Sequence, residues 1–293
     1  MNILITGGNG NIAKMIKKNL STNNNYNIVN PSRKELNILN MKEIEVFLNK
    51  DITYDILIHT AISGGRRTKE ENGDVTHNNL LMLENILFFS DKFKMIIDFD
   101  SAAIYDRETD IYNRKEDELF TVPKDYYGFS KYLIYKRSLQ YDNFFNLRIF
   151  NIFHANEEPD RFIKACFTSK KNNLPITIFE DKYFDFVYED DFIKIIKYYI
   201  DNYEHPEKLE KIINICYEEK YKLSDIAKLI LIQESSDYVI DKTQIQILNN
   251  ELKHNYSGDN TKLRQLNLPL LGLTEGLKLY EKLYNSLNFK NIL

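Results

Sequence analysis

Tyr127 and Lys131 have the residue types and the spacing that proton-transfer chemistry requires. They stand at positions i and i+4 of a segment with helical periodicity, so their side chains lie on one face of a predicted helix. A phenol is a weak proton donor near neutral pH, and an adjacent ammonium favours its phenolate. The pair therefore predicts a tyrosine that exchanges a proton with a substrate. Tyr132 and Lys136 repeat the spacing, so the pair alone does not define a site.

Ser101 stands just beyond the apolar run of residues 95–99, which predicts a buried strand. Open α/β sheets bind their ligands at the carboxyl ends of their strands. A serine at a strand end is often only a turn residue. Together with Tyr127 and Lys131, however, Ser101 predicts a site in which its hydroxyl orients the oxygen of a reacting carbonyl group.

Glycines cluster near the amino terminus, where Gly7, Gly8 and Gly10 follow the first apolar run. A glycine turn between a strand and a helix is the context of a dinucleotide-binding fingerprint. Gly7 permits the tight turn, and Gly10 lets the backbone approach a pyrophosphate. The helix that begins at Asn11 and Ile12 would face this anion with its N–H groups and the positive end of its dipole.

The second apolar run ends without an acidic residue. An Asp or Glu at this point reads the adenosine ribose of NAD, whereas a nearby Arg accommodates the 2′-phosphate of NADP. The chain continues from Asn30 to Arg33 with no acid between them, so Arg33 is the predicted phosphate ligand. This favours NADP and leaves NAD open. The alternative for Arg33 and Lys34 is a solvated basic pair at the start of a helix.

Short apolar runs alternate with helical stretches in the first half of the chain, which predicts βαβ units and right-handed crossovers. The predicted fold class is α/β with a doubly wound parallel sheet. Residues 1–150 are expected to form a dinucleotide-binding domain. Residues 151–293 are expected to form mainly a smaller α/β substrate-binding domain, with segments that return to the first. The strand predictions are 3–5, 26–29, 55–59, 95–99, 145–149, 175–179 and 212–215, and the helix predictions are 11–21, 41–50, 74–91, 126–141, 160–171, 191–200, 224–232 and 274–287.

Composition excludes several classes of protein. The chain is 43% hydrophobic and 28% charged, which is too apolar for a disordered protein. Its net charge is −4 with no basic stripe, so nucleic acid is not an expected partner. No run is apolar enough to span a membrane, and the first residues lack the basic region of a signal peptide, so we expect a cytoplasmic protein. Cys166 and Cys216 have the spacing of free thiols, and no His or Cys spacing predicts a metal site.

Three motifs together resemble the extended short-chain dehydrogenase/reductase family: residues 6–13, 98–105 and 127–131. The likeness extends over nearly the whole chain. It implies a Rossmann-type sheet, and it implies that Ser101, Tyr127 and Lys131 are catalytic, with Tyr127 and Lys131 also contacting the cofactor. By the same resemblance, Ala61 lines the nicotinamide ribose pocket. The stretch 32–40, which includes Asn37 and Ile38, resembles NADP-binding nucleotide-sugar reductases related to GDP-fucose synthase.

The resemblance also implies a nucleotide-sugar substrate. It assigns Ser101 and Asn151 to the substrate site. The loop 64–67 is either a polar loop or a site for a substrate phosphate, with Gly65 as its representative. The arginine that holds the pyrophosphate in many relatives is replaced here by Phe184. Arg161 and Lys182 are the expected substitutes.

The expected activity is NADPH-dependent reduction of a keto-sugar nucleotide, with the ketone at C4 and Tyr127 as proton donor, in surface-polysaccharide sugar synthesis. Ala102 and Ala103 stand where related dehydratases carry an acidic pair, so elimination lacks its acid and base. Two alternatives stay open: a 4-epimerase of nucleotide sugars that retains NAD, and a non-catalytic nucleotide-binding regulator. The resemblance also implies a homodimer that pairs the helices predicted at 74–91 and 126–141.

Overall fold

The computed structural model describes residues 1–50, 52–66, 69–232, 244–249 and 254–289. The chain divides into two compact units. Unit 1 comprises Met1–Glu108, Glu116–Ile149 and Ile195–Asn214, and unit 2 comprises Thr109–Lys115, Phe150–Lys194 and Ile215–Leu293.

The helices and strands follow one another along the chain, with strands more frequent in the second half than the sequence predicts. The strands are β1 (Asn2–Ile5), β2 (Asn27–Val29), β3 (Ile56–His59), β4 (Met95–Ser101), β5 (Ile111–Arg114), β6 (Phe144–Ile149), β7 (Ile152–Phe153), β8 (Ile176–Glu180), β9 (Val187–Tyr188), β10 (Ile212–Ile215), β11 (Ile245–Asn249) and β12 (Tyr256–Gly258). The helices are α1 (Asn11–Leu20), α2 (Met41–Leu48), α3 (Gly73–Phe88), α4 (Tyr126–Ser138), α5 (Phe162–Lys171), α6 (Glu189–Asp201), α7 (Leu223–Ile232), α8 (Thr261–Gln265) and α9 (Gly272–Phe289).

A six-stranded sheet has the order β10-β6-β4-β3-β1-β2. Strand β1 pairs in parallel with β2 on one side and with β3 on the other, so the strand order reverses beside β1. In such sheets, ligands bind outside the carboxyl ends of the strands at the point of reversal. The predicted α/β class with a Rossmann-type parallel sheet is confirmed.

The strands of this sheet form where apolar runs can be buried on both faces. Ile3, Ile5, Ile56 and Ile58 are fully buried in β1 and β3. Strand β4 begins with the same kind of run but reaches Ser101, and it carries Asp98 and Asp100, two buried acids. The buried acids interrupt the apolar pattern of β4, and their partners are part of the candidate site.

Unit 2 contains several short parallel pairs that the apolar pattern does not predict: β5 with β12, β7 with β9, and β8 with β11. Of these strands, only β8 coincides with a predicted apolar run, 175–179, and β5 pairs with a segment far along the chain. Asp191 joins another distant pair of segments, because its buried carboxylate accepts bonds from the N–H groups of Leu271 and Gly272 at the start of α9.

Cys166 and Cys216 are buried thiols that form no disulfide, as their spacing predicts. Across the described ranges, no helix is long and apolar enough to cross a membrane. Within the same ranges, no group of three His, Cys, Asp or Glu residues could hold a metal ion.

Candidate active site

The glycine turn between β1 and α1 excludes side chains at two positions. Gly7 has φ +72°, and a Cβ there would lie 2.9 Å from backbone atoms of Ala61. A Cβ on Gly8 would lie 2.6 Å from the carbonyl oxygen of Pro31. Gly10 precedes α1, and no side chain caps the helix. The turn therefore brings bare backbone to the start of a helix, which fits a pyrophosphate.

The ends of β1 and β3 are joined beside this turn. The Thr60 hydroxyl donates to the Thr6 carbonyl at 2.6 Å, and the Thr6 hydroxyl contacts Nδ1 of His59 at 2.8 Å. Burial and the nearby charge of Lys131 lower the pKa of His59 to about 3. His59 is therefore neutral at physiological pH and links two strands. Ala61, the predicted ribose neighbour, directly follows this joint.

The residues predicted to read the adenosine end lie in different settings. Arg33 is exposed in the turn after β2. The Asn37 N–H donates to Glu43 at 3.0 Å, so that donor is already engaged. Ile38 is buried, and its carbonyl oxygen accepts a bond from Asn85 at 2.8 Å. In the described part of the chain, Oδ1 of Asn30 is buried without a hydrogen-bond partner.

Ser101 is the last residue of β4, and its backbone is held by an acid. The Ser101 N–H donates to Oδ1 of Asp100 at 2.7 Å, while its hydroxyl oxygen accepts from the Ala103 N–H at 3.2 Å. Oδ2 of Asp100 accepts from Nε of the fully buried Arg148 at 2.7 Å. Burial raises the pKa of Asp100, against the opposing charges of Arg148 and Lys131. Ser101 thus sits on a rigid buried support.

Tyr127 lies in the first turn of α4, and Asp125 caps this helix by accepting from the Gly128 N–H at 2.8 Å. Arg107 bonds to Asp125, and its guanidinium lies 5.8 Å from the centre of the Tyr127 ring. Gly65 has φ +91°, and a Cβ there would lie 3.0 Å from the same ring. The Tyr127 ring therefore packs against Gly65. The sequence analysis assigns Gly65 to the substrate site only and does not predict this contact.

Lys131 lies one turn further along α4 and is 2% exposed. Its Nζ donates to the Phe99 carbonyl oxygen of β4 at 2.6 Å. Burial by itself lowers the pKa of Lys131, but the charges of Asp98, Tyr127 and Asp100 outweigh burial and raise it. Lys131 is therefore a charged side chain that fastens α4 to the strand carrying Ser101.

Asn79 of α3 supports the same helix. Its amide exchanges hydrogen bonds with the backbone of Ser63 at 2.8 and 3.0 Å, and its Nδ2 donates to the Ser130 hydroxyl at 2.9 Å. The Gly65 N–H donates to Glu71 at 2.5 Å. These bonds fix the loop 63–65 beside α4. Arg67, from the predicted phosphate loop, lies outside the described residues.

Unit 2 holds the other predicted substrate residues. Arg161 donates to Oδ1 of Asn151 at 3.2 Å, so these two lie together. Lys182 instead pairs with Glu180 at 3.2 Å. Phe184, at the position of the missing arginine, stacks against Phe186 with ring centres 5.0 Å apart. Substrate binding by these residues stays a prediction.

Four charged residues of this site are not predicted from the sequence. Asp98, Asp100, Arg148 and Arg107 are not among the predicted site residues, although Asp98 interrupts the apolar run 95–99 and Asp100 follows it directly. A charge inside such a run is itself a signal, because a buried charge needs a partner. The sequence does not say which cation that partner is.

Comparison with known proteins gives one family and one fold. The family model described as NAD dependent epimerase/dehydratase matches residues 3–216. No curated protein sequence matches the chain.

Three structures with different activities share the fold. The NADP-bound GDP-mannoheptose C4 reductase of Campylobacter jejuni is 18% identical, with a TM-score of 0.75 over 97% of this chain and 98% of that one. The UDP-glucuronic acid 4-epimerase of Bacillus cereus, with UDP-glucuronic acid and NAD, is 20% identical, with a TM-score of 0.71 over 98% and 100%. The dTDP-glucose 4,6-dehydratase of Bacillus anthracis, with NAD, is 15% identical, with a TM-score of 0.74 over 98% and 97%. At these identities the likeness establishes the fold.

Proposed function

The chain belongs to the NAD dependent epimerase/dehydratase family, and from this premise we propose that it is an NADPH-dependent reductase of a keto-sugar nucleotide. The observation that carries the proposal is the coupling of α4 to β4. Through the bond from Lys131 to Phe99, the helix that bears Tyr127 is fastened two residues before Ser101. The Ser101 hydroxyl, the Tyr127 phenol and the Lys131 ammonium thus lie on two elements that are bonded to each other. Both elements belong to unit 1, which also contains the glycine turn.

Each side chain then has a defined task. When bound, NADPH supplies the hydride that reduces the carbonyl carbon. Tyr127 donates its phenolic proton to the carbonyl oxygen, and the Ser101 hydroxyl hydrogen-bonds that oxygen. An ammonium has three N–H donors, so Lys131 can bind a ribose hydroxyl while it holds the Phe99 carbonyl. Gly7, Gly10 and the start of α1 at Asn11 and Ile12 would hold the pyrophosphate.

Reduction is favoured over dehydration by the two residues after Ser101. Ala102 and Ala103 are 0% and 1% exposed, and neither can give or take a proton. Elimination of water needs an acid for the departing hydroxyl and a base for the carbon-bound proton. Reduction of a ketone needs a proton donor, which Tyr127 supplies, and the hydride that bound NADPH would supply. Likeness to a C4 reductase supports a ketone at C4 of the sugar.

NADPH is favoured over NADH by the turn after β2. Arg33 is exposed there, and no acid stands between β2 and Arg33 to bind a ribose 2′-hydroxyl. We expect Arg33→Ala to reduce the preference for NADPH over NADH by about 10-fold to 100-fold, which corresponds to one charge-assisted contact. Lys34→Ala, which removes the neighbouring charge, is the matched control. Equal preferences in the wild-type and R33A proteins would contradict this assignment.

The activity itself is tested with a panel of 4-keto-sugar nucleotides and either NADPH or NADH. Cofactor oxidation is followed by absorbance, and each product is identified by NMR. The proposal expects stoichiometric oxidation of NADPH and an alcohol at C4. Purification with tightly bound NAD, together with epimerised product and no need for added cofactor, would replace the reductase with a 4-epimerase.

A homodimer through α3 and α4 is part of the proposal. Tyr126 of α4 and Phe88 of α3 are 47% and 67% exposed, so both helices present a large apolar side chain that a second copy could cover. Light scattering measures the mass directly. We expect twice the chain mass, and Phe88→Glu should shift it to the monomer.

A further inference from the structure

A row of four buried polar side chains crosses the six-stranded sheet under α4. His59 of β3, Asp98 of β4 and Asn146 of β6 are register partners, so they lie on one face of the sheet. Thr6, directly after β1, extends the row by its contact with His59. These four residues, the polar row, are between 1% and 6% exposed. Such a row costs stability unless its groups find partners.

The members of the polar row differ in charge and in partners. Thr6 and His59 contact each other, and Asn146 donates to the Ser138 hydroxyl at 2.8 Å. In the described part of the chain, Oδ1 of Asn146 and Oδ2 of Asp98 are buried without a hydrogen-bond partner, and only the second belongs to an acid. Its nearest cation is Nζ of Lys131 at 3.8 Å, and both side chains are at most 3% exposed.

The other titratable groups around Lys131 are a histidine, a tyrosine and an acid that is paired with Arg148. Asp100, on the same strand, is bound to Arg148 and to the Ser101 N–H. His59 faces Lys131 from β3 as a neutral ring. Tyr127 faces it from α4. Asp98 is therefore the acid near Lys131 that has no other cation bound, and burial raises its pKa against the pull of the ammonium.

We propose that Asp98 is the buried counter-ion of Lys131, a positioning residue that keeps the ammonium charged and directed at the Phe99 carbonyl. This inference rests on the proposed function, because Lys131 is the residue that would bind the cofactor ribose beside Tyr127. The carboxylate supplies the opposite charge that a buried ammonium needs, 3.8 Å from Nζ.

Removal of the Asp98 charge should lower the pH at which Lys131 loses its proton. In Asp98→Asn, burial is no longer opposed by the nearest acid, so the pKa of Lys131 falls. The charged form of Lys131 is then lost earlier as pH rises. The alkaline limb of the pH profile of kcat/KM should therefore move to lower pH by about 1–3 units.

The direct test uses the cofactor-free enzyme with ¹³C,¹⁵N-labelled lysine, in which NMR follows the Lys131 side chain across pH. Its signal is assigned by its loss in Lys131→Arg. In the wild-type protein we expect titration above the ordinary lysine value of 10.5. In D98N we expect titration about 1–3 units lower, and in Asp98→Glu a return toward the wild-type value. Titration of Lys131 below 10.5 in the wild-type protein would overturn the proposal even if D98N fails to fold.

Asn146→Ala is the matched control for loss of a buried polar group. Asn146 lies beside Asp98 in the same row, and its removal takes away a hydrogen bond but no charge. We expect N146A to lower stability while the Lys131 titration and the alkaline limb stay unchanged. Equal titrations of Lys131 in D98N and wild type would overturn the proposal. Absence of reductase activity in the wild-type enzyme would refute the proposed function and leave the NMR result standing.

Discussion

Two regions of the molecule bury acidic side chains and balance them in opposite ways. At the carboxyl end of β4, Asp98 and Asp100 face Lys131 and Arg148 at 3.8 and 2.7 Å. In unit 2, Glu157 is 4% exposed and its carboxyl group meets the Tyr280 hydroxyl at 3.5 Å.

The pKa of Glu157 follows from these surroundings. Burial raises it to about 8, although Arg161 and Lys164 lower it in part, so the carboxyl group holds its proton at neutral pH. Lys164 donates to the backbone oxygen of Glu157 at 2.6 Å. Each buried acid at the β4 edge thus has a buried cation within 3.8 Å, whereas in unit 2 the charge of Glu157 is removed by protonation.

The largest expected effect is on kcat/KM, through the catalytic residue that lies beside the β4 edge. Tyr127→Phe removes the proton donor and should lower kcat/KM by about 10²–10⁴-fold. Stability should change little, because the aromatic ring that packs on Gly65 is kept. Steady-state kinetics and chemical denaturation measure the two effects. Tyr132→Phe, on the same helix, should leave both unchanged, and an active Y127F enzyme would contradict the assigned donor.

Arg148→Met tests whether the β4 edge depends on charge pairing. The change leaves Asp100 buried without its cation, which should cost about 3–5 kcal/mol of unfolding free energy. Denaturation with urea measures the loss. Asp100→Asn combined with R148M should recover part of it, because the buried charge is then gone. Lys182→Met breaks a partly exposed ion pair in unit 2 and is the control. If R148M loses no more unfolding free energy than K182M, the β4 edge does not depend on its buried ion pair.

Gly65→Ala tests how tightly the Tyr127 ring is held. The new Cβ would lie 3.0 Å from the ring, at a φ of +91° that disfavours alanine. A displaced ring should lower kcat about 10-fold, with NADPH affinity kept. Gly73→Ala is the matched control, because nothing lies within 4 Å of a Cβ there. Equal kcat values for the two variants would show that the contact with Gly65 does not position Tyr127.

The smallest effect tests the neutral acid of unit 2. The folded pKa of Glu157, about 8, lies above its ordinary value of 4.5, so the folded state binds the proton more tightly. Its contribution to stability is complete below pH 4.5 and is lost as pH rises through 8. Denaturation between pH 5 and 9 should therefore show a shallower decline for Glu157→Gln than for wild type. Identical slopes would mean that Glu157 is ionised in the folded protein.

Prediction from the sequence succeeded where short-range patterns suffice. The alternation of apolar runs and helical stretches identified the α/β class, and the glycine turn was recognised from a strand, a turn and a helix in succession. It failed where partners are distant. Strand β5 pairs with β12, and Gly65 packs on Tyr127, although no local periodicity links either pair.

The sequence by itself determined which chemical groups are available: a serine after a buried strand, and a tyrosine and a lysine one helical turn apart. These follow from local rules, because strand and helix periods act over a few residues. Only the tertiary structure decided that Lys131 faces Asp98, and that Asp100 belongs to Arg148. Such pairings depend on strand order and register, which bring residues far apart in sequence into one low-dielectric interior, where an uncompensated charge is too costly to persist.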